Sequence, residues 1–280
     1  PALIGVGYIV GLNISILVLT GGIISWLIAI PIYTSLNPVN TDINNTAWLI
    51  WDTKIRFLGV GAMLTGGLWS IIKIIRPIIK GISSSLNNHN FENEDMPIKY
   101  ILLIFTIIII PIYTVYNQIL LNVPISVLIT ILIIIISFIF SSIAGYMSGI
   151  VGSSNNPVSG LTIATILLSA LFIKYLGFLS EAGIVSSILF GSIICCSSAI
   201  AGDNMQDLKT GHIIDSTPWK QQIMQIIGTV SSALIITVIL NILNTAYGIG
   251  SESLPAPQAN LMKVVVEGVF NDNLPWAWIY

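Results

Sequence analysis

The chain has 280 residues, of which 55% are hydrophobic and only 8% charged, with a formal net charge of −2 and a mean hydropathy of +0.93. Soluble domains carry about 25% charged residues, so a water-soluble globular domain is excluded, and the scattered charges leave no basic stripe for nucleic acid. The apolar blocks reach the roughly 20 residues that one helical crossing needs, so the chain reads as an all-α, polytopic transmembrane helical bundle of about 7–9 membrane segments.

The first apolar block, residues 3–30, is interrupted by Gly11, Asn13, Ser15, Gly21 and Gly22. It is either one long span or two pieces broken at the glycine pair, with 11–22 a broken or re-entrant stretch. Pro31 is expected to end it, because proline clashes with the preceding turn. The polar segment TSLNPVNTDINNT then leads to Trp48 and Trp51, which read as an interfacial aromatic belt. A second span covers 55–75, where GVGAMLTGG supplies small residues for close helix contact.

The hydrophilic loop 76–99 follows, flanked by Lys73, Arg76, Lys80 and Lys99. The positive-inside rule places it in the cytoplasm. His89 within it has no second His or Cys nearby and reads as solvated. Spans at 98–119 and 124–145 come next, joined by LNVP, and Pro111 should kink the first of them. Further spans cover 157–175, 183–201 and 218–245. Cys195 and Cys196 are adjacent, which is not the spacing of a metal or redox motif; they read as small packing residues.

The tail holds a short apolar segment at 259–270, which Pro255 and Pro257 separate from the preceding helix. Residues 255–270 are therefore read as a broken or re-entrant element, and 274–280 as the start of another span. The absence of an initiator Met and the stop within LPWAWIY read as cuts through a longer protein. The remainder of that protein is then an expected partner, with the bilayer.

The segment GSSNNPVSG, residues 152–160, interrupts two apolar spans without any charge. Gly145, Gly149 and Gly152 precede it and Gly160 closes it. A helix through Ser153, Ser154, Asn155, Asn156 and Pro157 is unfavourable, because Asn and Ser compete for backbone groups and Pro lacks an N–H. Asn156 as N-cap and Pro157 at the first helical position would start the next helix. The 145–160 region is thus a broken element with two readings, a tight cytoplasmic turn or a polar cluster between helix ends at membrane depth. The second kind of cluster forms substrate and ion sites in transporters. The lack of flanking Lys or Arg, and the hydroxyls of Ser148, Ser153, Ser154 and Ser159, favour it.

Two carboxylate-bearing stretches stand out. Asp203 and Asp207 are spaced i, i+4 directly after an apolar span, hence on one face if helical. An ionisable residue at such a position is a functional candidate; the alternative is a charged loop in which Lys209 pairs with Asp207. Lys263 and Glu267 form a second i, i+4 pair, either a buried polar pair or one that snorkels to water.

The repeated NPV, at 37–39 and 156–158, suggests a channel-like pore for small neutral solutes. The first copy, however, continues polar into NTDINNT, leaving no half-helix there. AGD at 201–203 suggests an intramembrane aspartyl protease, but Ile200 stands where such enzymes carry glycine, and no partner aspartate lies within another span.

YMSGIVGSSNNPVSGLTIATILL (146–168) and AGDNMQDLKTGHIIDSTPWKQQ (201–222) closely resemble the bacterial branch of the oligopeptide transporter (OPT) family. LPAPQANLM, LPWAWI and GVGYIVGLNISILVLTGGIISW are similar to the same family in the same order. The resemblance extends to the yellow-stripe-like metal-chelate transporters, whose plant members carry iron–phytosiderophore and metal–nicotianamine complexes. It implies a multi-pass protein of the cell (inner or plasma) membrane, not an enzyme, that imports small peptides or metal chelates by proton-coupled symport. It implies no resident cofactor and no metal site, with the proton as coupling ion and a homo-oligomer as one state open to it. The family's substrate path would correspond to Ser153, Ser154, Asn155, Asn156 and Pro157. Asp203, Asp207, Glu267 and Lys263 are the candidates for proton coupling or a polar network, and Gly145, Gly149, Gly152 and Gly160 for hinges and close packing.

Overall fold

The computed structural model describes residues 2–37, 43–87, 95–153, 156 and 158–279, and every regular element among them is helical. The chain divides into two compact units, one of residues 1–66 with 274–280 and one of residues 67–273.

In the first unit, α1 (Ala2–Val10) and α2 (Leu12–Gly22) are separated at Gly11, whose φ is +83°. Only glycine adopts that conformation without a Cβ penalty, so the break falls there and not at Gly21–Gly22. The glycine pair ends α2 and continues into a π-helical stretch, Ile23–Ala29, followed by α3 (Ile30–Leu36). Pro31 does not end the span: it falls at the junction of the π-helical stretch with α3, inside a helix continuous from Leu12 to Leu36, and π-helical turns commonly accompany such local departures from the regular ladder. The stretch Leu12–Leu36 is long and apolar enough to cross a membrane.

A second π-helical stretch, Trp51–Ile55, joins α4 (Ile43–Ile50) to α5 (Arg56–Asn87). Ile30, Ile50 and Ile55 form the buried centre of this unit, with Trp26, Tyr33, Trp51 and Trp278 packed around it. Trp26 meets Trp48 edge-on at 4.8 Å and stacks on Trp51 at 6.2 Å. The short C-terminal helix, Trp276–Ile279, passes so close to Gly61 that a Cβ there would fall 2.1 Å from the Ile279 carbonyl oxygen.

The stretch 55–75 expected as a span lies, from Arg56 on, in α5, and that helix runs through Pro77 to Asn87, so the hydrophilic stretch expected as a loop from residue 76 begins as helix. Residues 88–94 of that stretch, including His89, lie outside the described residues.

The second unit is built on α6 (Ile98–Leu120), α7 (Val123–Val151), α8 (Val158–Tyr175), α9 (Glu181–Ile213), α10 (Pro218–Tyr247) and α11 (Pro257–Phe270). α6 carries Pro111 in its interior and continues unbroken. α7 and α9 run parallel: the Ser141 hydroxyl donates to Ser197 O (3.1 Å) and the Ser148 hydroxyl to Gly202 O (3.0 Å). α8 runs antiparallel to α9, with the Ser169 hydroxyl donating to Ser187 O (3.3 Å). Gly191 of α9 receives Ile166 of α8 so closely that a Cβ would sit 2.0 Å from Ile166 Cγ1. Small residues on α9 thus let neighbouring helices approach, the usual route to helix association in lipid.

Among the described residues, Leu12–Leu36, Lys99–Leu120, Val123–Ile150, Val158–Tyr175, Glu181–Ile213 and Pro218–Tyr247 are long and apolar enough to cross a membrane. α11, with 14 residues, spans only about 21 Å at 1.5 Å per residue, short of a ~30 Å hydrocarbon core. The chain is therefore an all-α, multi-pass membrane protein. The span read as 183–201 also runs further: α9 continues to Ile213, so of the two readings of the Asp203–Asp207 stretch, helix face or charged loop, it is the helix that forms.

Candidate functional site

α7 must stop where its backbone turns. Gly152 supplies the turn, with φ +85° and its N–H donating to Ser148 O at 3.0 Å. Beyond it, the described Ser153 and Asn156 lie against α9. The Ser153 hydroxyl donates to Gln206 Oε1. The Asn156 backbone N–H donates to Ser153 O (3.2 Å), and Asn156 O accepts from the Val158 N–H (2.8 Å) at the start of α8. Ser154, Asn155 and Pro157 lie outside the described residues.

The Asn156 side chain is not used as an N-cap of α8. Its Nδ2 turns back and donates to Ala144 O on α7 at 3.3 Å, while its Oδ1 is buried without a hydrogen-bond partner. A buried, unpaired amide oxygen costs about 1–3 kcal/mol, so the position is held by its surroundings. Gly202 is one reason: a Cβ there would come within 2.6 Å of Asn156 Nδ2.

The level of this segment follows from its neighbours. It sits beside Gly202 and Gln206, and α9 runs on to Ile213, roughly 10–16 Å further at 1.5 Å per residue. Ser153 and Asn156 are thus recessed from the end of α9 instead of capping it.

The four glycines divide by role. Gly145 faces α9, where a Cβ would lie 3.4 Å from Met205 Cγ, and the Gly160 carbonyl oxygen lies 3.1 Å from the Cβ position of Gly67. Gly152 makes the positive-φ turn, and Gly149 meets no neighbouring atom within 4 Å of its Cβ position, so close packing does not explain it.

Asp203 and Asp207 both lie on α9 and are exposed. Asp207 is tied to α10: its Oδ2 accepts from Gln225 Nε2 (2.8 Å) and its backbone oxygen from Gln221 Nε2 (3.4 Å). Lys263 and Glu267 pair with each other at 3.7 Å on α11, with side chains 62% and 40% exposed. α11 is anchored at the other end of α8 and α9, where a Cβ on Gly183 would meet Phe270 Cε1 at 2.6 Å and Lys174 Nζ reaches Val269 O (2.8 Å) and Asp272 (2.6 Å). The structure therefore brings Ser153 and Asn156 to the Asp203–Asp207 helix but leaves Lys263 and Glu267 apart from them.

A second polar group escaped the sequence reading. A cavity of about 1160 Å³ opens between the first halves of α6 and α10, with α9 and Ser141 of α7 as its walls. Asp95, Asn204, Gln222 and Gln225 line it. Gln222 is held at both ends: its Oε1 accepts from the Met96 N–H (3.0 Å) and its Nε2 donates to Asp95 Oδ1 (3.1 Å). Asn204 Oδ1 is buried without a partner. The available signal was the run of glutamines at 221, 222 and 225 at the head of an otherwise apolar span; Gln221 and Gln225, four residues apart, share the face turned to α9, while Gln222 reaches Met96 and Asp95. Among the described residues no group of His, Cys, Asp and Glu could hold a metal ion.

Residues 1–280 match the family described as OPT oligopeptide transporter protein. A Haemophilus influenzae protein named for oligopeptide transport is 30% identical over 99% of this chain and 50% of its own length. An Oryza sativa protein named for metal–nicotianamine transport is 27% identical over 89% of this chain and 38% of its own length. A Saccharomyces cerevisiae protein, also named for oligopeptide transport, is 28% identical over 57% of this chain and 19% of its own length. The chain thus spans at most about half the length of these relatives. No solved structure matches it.

Proposed function

The chain belongs to the OPT oligopeptide transporter family, and from that premise we propose that it is part of a secondary transporter importing small peptides or metal chelates across the cell membrane. The observation that carries the reading is the Asn156 amide, recessed beside α9, with one N–H on Ala144 O and a buried oxygen still lacking a donor. Substrate and ion sites of secondary transporters form where helices break near the middle of the bundle.

In this reading Ser153, Ser154, Asn155, Asn156 and Pro157 contact the polar parts of the substrate. Neutral hydroxyls and carboxamides suit amide and carboxylate groups, because they avoid the desolvation cost of a buried fixed charge. Asn156 Oδ1 is closed off in this state, so substrate N–H groups would satisfy it once the turn at Gly152 lets the ends of α7 and α8 move against α9. Protons drive the import, and Asp207 is the preferred coupling group over Asp203 and Glu267. Its carboxylate is hydrogen-bonded to a neighbouring span, through Gln225.

The test uses the full-length protein in proteoliposomes, with labelled peptide and labelled metal–nicotianamine as alternative substrates. Asn156→Ala should cut uptake about tenfold, the equivalent of one lost transition-state or binding contact of ~1.4 kcal/mol, with unchanged insertion and elution profile. Wild-type uptake by that variant would remove the segment from the substrate path.

A further inference from the structure

The cavity between α6, α9 and α10 opens between two spans that the rest of the described chain hardly covers. α10 has no buried residue, and the buried residues of α6, Tyr116 and Leu120, lie beyond the cavity. The lining on α6 runs from Pro97 to Ile108, roughly 16 Å at 1.5 Å per residue, which is the depth of one leaflet of a ~30 Å hydrocarbon core. The gap therefore faces lipid and reaches from the interface to the middle of the membrane.

Its mouth lies at headgroup level. Both spans begin on a lysine–aromatic pair, with Lys99 Nζ 5.0 Å from the Tyr100 ring centre and Lys220 Nζ 5.7 Å from that of Trp219. Such pairs collect at the membrane–water interface. Gln222, bonded to the Met96 N–H and to Asp95 Oδ1, fixes the two helix starts at one height. Asp95 is thus exposed among the headgroups, and it is the only formal charge in the described lining.

Below Asn204, whose amide oxygen is buried out of reach, the walls present hydrocarbon. The hydroxyls of Ser141, Ser197 and Thr229 already donate to Ser197 O (3.1 Å), Ile194 O (2.9 Å) and Gln225 O (2.8 Å). Ile101, Ile104 and Ile108 face Ile226 and Val230 across the gap. A packed helix is the poorer occupant, because helices approach one another in lipid on small residues. This chain makes such seams at Gly191 and Gly202, whereas α6 lines the groove with isoleucine.

We propose that this cavity is a groove for one glycerophospholipid with a primary-amine headgroup, phosphatidylethanolamine, whose ammonium sits on Asp95 and whose acyl chain lies along the α6 isoleucines. The ammonium gains a charge-assisted hydrogen bond there, and an anionic headgroup is repelled by the same carboxylate. The site is separate from the Ser153–Asn156 segment and does not depend on the transport reading.

The experiment titrates the full-length protein in detergent with dioleoyl-phosphatidylethanolamine and counts bound lipid by native mass spectrometry, beside phosphatidylcholine and phosphatidylglycerol of the same chains. Phosphatidylethanolamine should fill one saturable site. Phosphatidylcholine, which has no N–H to donate, should bind it about tenfold more weakly, the loss of one charge-assisted hydrogen bond, and phosphatidylglycerol more weakly still. Asp95→Asn, a change at an exposed position before α6 that leaves the fold intact, should weaken phosphatidylethanolamine about tenfold and erase the headgroup preference. Ile104→Trp, which fills the groove below the mouth, should abolish saturable binding of all three while the protein elutes as a single species. Val230→Trp repeats that test from the opposite wall.

Equal binding of the three headgroups, a preference that survives Asp95→Asn, or lipid counts that ignore both tryptophan variants would each overturn the proposal, the last marking only a bulk lipid shell. So would the absence of any saturable lipid on the wild-type protein, the result expected if a helix from the remainder of the protein fills the groove. Uptake plays no part in the readout, so failure of the transport reading leaves the lipid site standing.

Discussion

The Asn156 carboxamide rests on Gly202, where a Cβ would come within 2.6 Å of Nδ2. Gly202 O, meanwhile, accepts the Ser148 hydroxyl at 3.0 Å. One residue of α9 thus both sets the α7 contact and leaves the room that the polar segment occupies.

Gly202→Ala should therefore displace Asn156 and not merely fill space. Overpacking of this kind costs about 1–3 kcal/mol. The expected outcome is a lower melting temperature together with lost uptake in proteoliposomes; full uptake at reduced stability would separate the segment from transport.

Gly191→Ala probes packing away from any polar group, since its Cβ would lie 2.0 Å from Ile166 Cγ1. The variant should lose about 1–3 kcal/mol. Adding Ile166→Ala should recover part of that loss, because contacting residues are not additive. Thermal unfolding of the single and double variants gives the coupling, and additive losses would argue against the contact.

Lys174 should matter more than its ion-pair partner. Asp272 is 86% exposed while Lys174 is 21% exposed and also donates to Val269 O. An exposed pair contributes about 0–1 kcal/mol, so Asp272→Asn should change stability little. Lys174→Met removes a helix C-terminal cap as well, and a lost hydrogen bond to a charged group adds about 1.5–3 kcal/mol. Equal effects in thermal melts would mean that the carbonyl contact contributes nothing.

Asp207→Asn keeps a side-chain oxygen for Gln225 but removes the titrating group. It should abolish uptake driven by an imposed pH gradient while sparing substrate exchange at equal pH. Gradient-driven uptake that survives this change, and is lost instead in Asp203→Asn or Glu267→Gln, would move the coupling role to that residue.

Several features were legible in the residues alone because they depend on composition and local backbone chemistry. Apolar run lengths established a helical membrane bundle, Pro257 marked the start of α11, and the Gly-Ser-Asn cluster marked the end of α7. Local signals misled where a neighbour or a wider turn compensated. Pro31 was absorbed next to a π-helical stretch, and the span expected to end near Ala201 continued to Ile213, with α10 side chains bonded to Asp207.

By itself, the sequence determined the class of the molecule and the places where helices must break, since hydropathy and the φ limits of Gly and Pro act within a few residues. Only the tertiary structure decided what meets at those breaks. Asn156 turns to Ala144 beside Gly202, Asp207 turns to Gln225, and Asn204 lines a cavity with Asp95 from more than a hundred residues earlier. Such pairings come from how parallel and antiparallel helices slide into register along small-residue seams, a property of two helices together that neither segment carries alone.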